Sequence, residues 1–291
     1  MRGRRSHKKP VAPSAQKQKR SSPTSTPCNS PWKKQHHGPS PNGSERSQQA
    51  GKLRDSQNWI GGNNYNPCGA SFVPPPPKEL KRLLRDLCAF SARDDLPPLV
   101  QAAIAHAQFE TIHPFDEGNG RTGRALVQVI LRGRGLSSAF VPPISVIFAR
   151  NKRRYIEGLT IFREDDIAGW LEIFATAAIQ AAKLAYRYVS AVTSLQDEWR
   201  VRLAEHSAPR SDSATWTLID VLPAHPIITV AVGAATTGRT KPAVNNAMAE
   251  LADAGILNPV SESKRNRAWE AVGLLDLIIS VETGGKAQTR S

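Results

Sequence analysis

His113-Pro114-Phe115-Asp116-Glu117-Gly118-Asn119-Gly120-Arg121-Thr122-Gly123-Arg124 opens on a histidine, turns on glycines and carries two arginines. Gly118 and Gly120 flank Asn119, and glycine backbones turn tightly enough to aim successive N–H groups at one point. Such a nest holds an anion. Downstream, Leu126, Val129 and Ile130 recur at helical spacing over Arg121 to Arg132, so the nest belongs at a helix N-terminus, on the positive end of its dipole. A polyphosphate suits that position. Arg121 and Arg124, three residues apart, share a helix face and can fork onto neighbouring phosphate oxygens. A carboxylate at Glu117 would repel phosphate unless a divalent cation lay between them, and Mg²⁺ is commonly held by one carboxylate plus substrate phosphates. Glu117 is the candidate metal ligand. His113 titrates near neutral pH and can take the proton of a hydroxyl about to attack phosphorus. It is the candidate general base.

The string resembles the Fic family signature, His-x-Phe-x-(Asp/Glu)-Gly-Asn-Gly-Arg-x-x-Arg, at all eight specified positions: His113, Phe115, Glu117, Gly118, Asn119, Gly120, Arg121 and Arg124. A second stretch, Arg54-Asp55-Ser56-Gln57-Asn58-Trp59-Ile60-Gly61-Gly62, is similar to the Arg-x-x-Gln-Asn-Trp-Ile-Gly-Gly run that leads into a β-hairpin flap in that family. The resemblance implies a mainly α fold: a Fic-type helical core with a β-hairpin flap, followed here by a small winged helix-turn-helix domain. It implies transfer of AMP from ATP to a Ser, Thr or Tyr hydroxyl of a protein docked on the flap, with release of pyrophosphate. ATP as donor and Mg²⁺ are the expected cofactors. The nucleotide-binding set would be Glu117, Gly118, Asn119, Gly120, Arg121, Thr122, Gly123 and Arg124, joined by Tyr155 from a later helix. Asp116 departs from the family, which usually has an apolar residue there. The inhibitory (Ser/Thr)-x-x-x-Glu-(Gly/Asn) motif of self-contained members has no match in this sequence.

The chain has 291 residues and a formal charge of +14, of which residues 1–52 carry +11 and the remainder +3. The basicity therefore belongs to an N-terminal tail rich in Ser, Pro, Gln, Lys and Arg. Poor in aliphatic residues, that tail is expected to be disordered and to bind nucleic acid or membranes weakly at most. Three domains follow from this: a basic tail over 1–53, a catalytic core over 54–207 and a winged helix-turn-helix over 208–291. No run reads as a signal peptide or a membrane span, so no membrane partner is expected. Cys28, Cys68 and Cys88 lack paired or metal-like spacing, which suits a reduced cytoplasm.

Within the core, Ala70 to Val73 ahead of Pro74–Pro77 reads as a hairpin-like strand, and Trp59 as a core residue. Helices are expected over Lys78–Phe90, over Pro97–Thr111 with a stripe of Leu99, Val100, Ala103, Ile104 and Ala107, and over Arg153–Phe162. His106 falls one position off that stripe and reads as a hydrogen-bonded structural histidine. Asp165 or Asp166 caps a helix running to about His206, whose second half, with Tyr188, Val192, Leu195 and Trp199, projects as a connector or homodimer contact. In the C-terminal module, Leu218–Leu222, Ile228–Ala235 and Lys241–Ala254 read as helices and Gly255–Trp269 as a wing. Lys241, Asn245, Asn246, Lys264, Arg265 and Arg267 would face DNA, with Glu250, Asp253 and Glu262 cancelling much of the charge. Two other functions stay open on this reading. One is a DNA-binding regulator with a degenerate or nucleotide-sensing Fic core; the other is transfer of a different phosphorylated group by the same loop.

Overall fold

The computed structural model describes residues 51–63, 65–136, 142–260 and 267–283, and it is mainly helical. The basic tail, bar its last residues, and Lys264, Arg265 and Glu262 of the wing lie outside the described residues. Two compact units divide after Pro77.

In the first unit, four prolines at 74–77 offer carbonyls but no N–H, so the strand before them must be held by donors from elsewhere. Arg54, 2% exposed, donates to the carbonyls of Ser56 (3.0 Å) and Pro75, and Gln57 Nε2 donates to Pro74 at 2.8 Å. These contacts give the Arg-x-x-Gln spacing its physical meaning. Ile60 and Phe72 form an antiparallel bridge, with Ile60 N–H donating to the Phe72 carbonyl at 2.9 Å, as the hairpin reading expects. Gly62 turns with φ 73°, and a side chain there would lie 2.9 Å from the Ala70 nitrogen. Trp59 is half-buried, not a core residue: its indole donates to the Asn63 carbonyl at 2.7 Å and braces the loop. Cys88 is an exposed free thiol.

The second unit begins with α1 (Leu80–Ser91), α2 (Pro98–Ile112) and α3 (Asn119–Gly133). Next come α4 (Ile144–Arg150), α5 (Lys152–Arg163) and α6 (Ile167–His206). Helix α2 is buried on every side, with Ala102, Ala105 and Ala107 fully covered, because α1, α3, α5 and α6 all pack on it. Its small side chains let those helices approach, so no single apolar stripe exists. Helix α4 is an addition to the sequence reading. Ile144, Ile147 and Phe148 are its buried face, at the i, i+3, i+4 spacing that the two preceding prolines obscured.

Helix α6 is capped by Asp166, which accepts the Gly169 N–H at 2.9 Å, and runs for 40 residues. By length and composition alone it is long and apolar enough to cross a bilayer, contrary to expectation. Its apolar residues instead serve two cores. Trp170, Phe174 and Ala181 are buried among α2 to α5, and the Trp170 indole donates to the Ala103 carbonyl of α2 at 2.9 Å. Val192, Trp199 and Leu203 are buried in a second cluster, so the second half of α6 does not project: it is the core helix of the C-terminal module.

That module adds α7 (Ala214–Val221), β1 (Ile227–Thr229), α8 (Val230–Thr237) and α9 (Lys241–Asp253). It ends with β2 (Leu257–Pro259), β3 (Ala268–Ala271) and α10 (Leu274–Thr283). The three strands form an antiparallel sheet in the order β1-β3-β2, with Ile228 opposite Trp269 and Asn258 opposite Glu270. Ile227–Thr229 is therefore strand where a helix from Ile228 was expected; an Ile-Ile-Thr run is β-branched and too short for periodicity to decide. The expected 207/208 boundary falls at the end of α6, inside this unit. Glu250 of α9 bonds Ser207 Oγ (2.7 Å) and Thr215 Oγ1 (2.6 Å), tying α9 to α6 and α7. At the far end, Arg150 donates to the Val281 carbonyl, and Val281 packs on the first core.

Where α5 meets α6, a Cβ on Gly158 would sit 2.8 Å from Cε3 of Trp170 and 3.2 Å from Cδ1 of Ile173. Gly158→Ala should destabilise the chain by roughly 1–3 kcal/mol in urea unfolding. Gly133→Ala, with nothing within 4 Å of its Cβ, should be neutral or stabilising. Equal effects of the two would refute this packing.

Candidate active site

Helix α2 ends because Pro114 cannot continue it. His113 takes the left-handed conformation (φ 47°) while its N–H still bonds the Phe109 carbonyl at 2.9 Å. Such a backbone is sparsely populated for a residue with a Cβ, and it costs on the order of 1–2 kcal/mol unless surroundings enforce it. The enforcement comes from Asn119. Its buried side-chain amide accepts the Phe115 N–H at 2.9 Å and donates to the Phe115 carbonyl at 2.7 Å, closing the loop on itself. Asn119, expected to contact nucleotide, is thus occupied in shaping the loop that presents the other residues.

Gly118 caps α3 with φ 86°, and Thr122 closes the first turn by donating both its N–H (3.0 Å) and its hydroxyl (3.2 Å) to the Gly118 carbonyl. The two arginines fold back over the glycines. A Cβ on Gly118 would lie 3.5 Å from Arg121 Nη2, and one on Gly120 would lie 3.1 Å from Arg124 Nη1. Both guanidiniums are thereby gathered at the N-terminus of α3, where the helix dipole is already positive. Asp116 and Glu117 are exposed beside them. Gly123, also expected in the nucleotide set, is covered by α2. A Cβ there would sit 2.6 Å from Glu110 Oε1 and 3.2 Å from the His106 ring.

Residues 35–131 match the Fic/DOC family. The chain carries a Fic/DOC domain. Over 92 residues it is 39% identical to a probable protein adenylyltransferase of Aquifex aeolicus, covering 31% of this chain and 26% of that protein. Over 130 residues it is 30% identical to protein adenylyltransferase Fic of Aedes aegypti, covering 44% and 23%. It is 27% identical over 152 residues to protein adenylyltransferase fic-1 of Caenorhabditis elegans, covering 51% and 26%. The chain thus spans about a quarter of the length of these relatives. A crystal structure of a Fic family protein from Desulfovibrio desulfuricans aligns with a TM-score of 0.42 at 20% identity, covering 76% of this chain and 62% of that one.

Beneath the signature loop lies a polar layer that sequence reasoning missed in part. His106 is 1% exposed, with Nε2 3.0 Å from the Tyr155 hydroxyl and its ring packed against both Phe148 and Trp170, which also touch each other; this makes it the structural histidine expected. Burial and the nearby Arg124 charge push its pKa down to about 4, so it is neutral at pH 7. Burial also raises the Tyr155 hydroxyl, with the Glu110 charge adding to the effect. Tyr155 shares with Arg124 the wall of a cavity of about 680 Å³ that Arg150, Lys152, Phe148 and Ile156 also line. The signature loop and the later tyrosine are therefore brought together. Arg150 and Lys152 are added to the expected basic residues; neither carries a sequence signal beyond its charge.

A His whose folded pKa is depressed from 6.5 to about 4 refuses a proton that the unfolded chain accepts. His106 therefore contributes stability above pH 6.5 that is lost as pH falls toward 4, on the order of 3 kcal/mol. Urea unfolding at about pH 7 and about pH 4.5 should show a smaller loss in His106→Gln than in the parent. Glu110, whose carboxyl burial raises, gives the opposite slope in both proteins and cancels in the comparison. An identical loss in both would refute the assignment.

Proposed function

We propose that the chain is a protein adenylyltransferase that moves AMP from ATP to a Ser, Thr or Tyr hydroxyl of a protein. The observation that carries this is the pair of guanidiniums folded over Gly118 and Gly120 at a helix N-terminus, directly after the loop that begins at His113. Backbone amides, a dipole and two forked cations at one point form a seat for a polyphosphate. The names of the relatives over this segment support the same reaction.

In this reading His113 removes the acceptor's proton and the freed oxygen attacks the α-phosphorus. The bond from that phosphorus to pyrophosphate breaks, and Arg121 and Arg124 hold the departing anion. Catalysis is then mostly positioning and charge stabilisation. Glu117 would hold Mg²⁺. Among the described residues no group of three or more His, Cys, Asp or Glu gathers, and Mg²⁺ fits such a sparse site because it accepts one carboxylate plus phosphates and water. When bound, it would neutralise phosphate charge. The cavity beside Arg124, with Tyr155 and Phe148 as flat walls, would take the rest of the donor.

Incubation with Mg²⁺ and ATP labelled at the α-phosphate should place label on protein, and His113→Ala should lower that labelling by at least about 100-fold with ATP binding retained. Arg124→Ala should lower it by about 10- to 1000-fold. Labelling that survives His113→Ala would sink the base assignment.

We also propose that the C-terminal module is a winged helix-turn-helix. Its order is helix, strand, two helices joined through Gly238, then two strands, and the first strand pairs with the last. Lys241, Asn245 and Asn246 are exposed on α9, whereas Glu250 is engaged with Ser207 and Thr215 and does not offset charge on that face. Duplex binding that weakens with salt and is lost in Asn245→Ala/Asn246→Ala would support a DNA-reading role; unchanged binding would exclude α9 as the reader.

A further inference from the structure

Glu110 is the carboxylate that the proposed chemistry leaves without a task. It lies on α2 one turn before His113, is 7% exposed, and places Oε2 3.9 Å from His113 Nδ1. Its other oxygen, Oε1, is buried without a hydrogen-bond partner among the described residues and occupies the notch left by the missing side chain of Gly123. Charged and titratable groups face it from each surrounding helix: His106 and His113 on its own, Arg124 from α3, and Tyr155 and Arg163 from α5. Arg163 also donates to the Glu110 carbonyl at 3.4 Å and to Thr111 Oγ1 at 3.4 Å, fixing this last turn of α2. Burial raises the carboxyl's pKa, and the Arg124 and Arg163 charges pull it back down.

A buried carboxylate one turn from an imidazole is costly unless it has a proton donor to face. Of the donors around Glu110, His113 Nδ1 is the one whose orientation decides chemistry. A hydrogen bond needs the gap to close by about 1 Å, a shift within the reach of a side-chain rotation. We propose that Glu110 is the positioning residue of His113: its carboxylate holds the proton on Nδ1, which leaves the lone pair on Nε2 to receive the acceptor's proton. The same carboxylate stabilises the imidazolium formed when that proton arrives, as in other histidine bases oriented by an acid. The catalytic role of His113 in this inference rests on the AMP-transfer reading; the pairing itself does not.

The test is nitrogen-15 NMR of the His113 ring in the full chain, alone and with Mg²⁺ and a non-hydrolysable ATP analogue. The neutral ring should be the Nδ1–H tautomer, and Glu110→Gln should lower the His113 pKa by about one unit. An Nε2–H tautomer in both samples overturns the proposal without any variant, which covers the case that Glu110→Gln fails to fold. An unshifted pKa in a folded Glu110→Gln overturns it equally. If AMP transfer is confirmed, Glu110→Gln should lower kcat by about 10- to 100-fold, leave KM for ATP unchanged and move the rising limb of the pH profile to lower pH. A merely structural role would lower activity without moving that limb. Should the chain prove to transfer nothing, the adenylyltransferase reading fails while the tautomer and pKa still decide the pairing.

Discussion

One side-chain amide bonded to both backbone groups of Phe115 holds the site together. Asn119 is the first residue of α3, and through those bonds the start of one helix is fastened to the loop leaving another. Without that fastening, the left-handed turn at His113 would relax and the imidazole would lose its orientation. Every other element of the site inherits its position from this closure: the arginines because they lie on α3, the histidine because it ends α2.

Electrostatically the site has two storeys. The upper one, at the N-terminus of α3, is a concentration of positive charge exposed to an incoming anion. The lower one is a buried layer in which a carboxylate, a neutral histidine and a tyrosine lie between Arg124 and Arg163. Arg124 belongs to both. Its guanidinium reaches over Gly120 while its charge opposes the burial that raises the Glu110 carboxyl and adds to the burial that lowers His106. Gly120 and Gly123, three residues apart on one helix, divide this labour, the first making room for a cation and the second for an anion.

Much of the upper storey was legible in the sequence because its chemistry is local. A histidine, a carboxylate, two glycines and two arginines within twelve positions can be read without knowing what lies behind them. Of the lower storey only His106 and Tyr155 were, since Glu110 and Gly123 meet only when α2 and α3 pack side by side, and nothing in either residue's neighbourhood announces the other. The spacing of Glu110 to His113, one helical turn, was the available hint. The hairpin pattern of Ile60 and Phe72 and the capping of α6 by Asp166 were readable for the same local reason. Short elements defeated the reading where periodicity had too few residues to work on, as at β1 and α4. Trp199 misled because thinning apolar positions suggested solvent, whereas the partner that buries them comes from a later part of the chain.

Helix α6 carries a further implication. It supplies Trp170 and Phe174 to one core and Trp199 and Leu203 to another, and α10 returns from the second module to set Val281 against the first. The two modules therefore share a spine and cannot be exchanged as separate cassettes. A recombination joint placed at the end of α6 would strip the cover from Trp199, and one placed within it would cut both cores. Whatever the C-terminal module binds, the torque of that binding falls on the same rod that packs against α2, the helix that His113 caps.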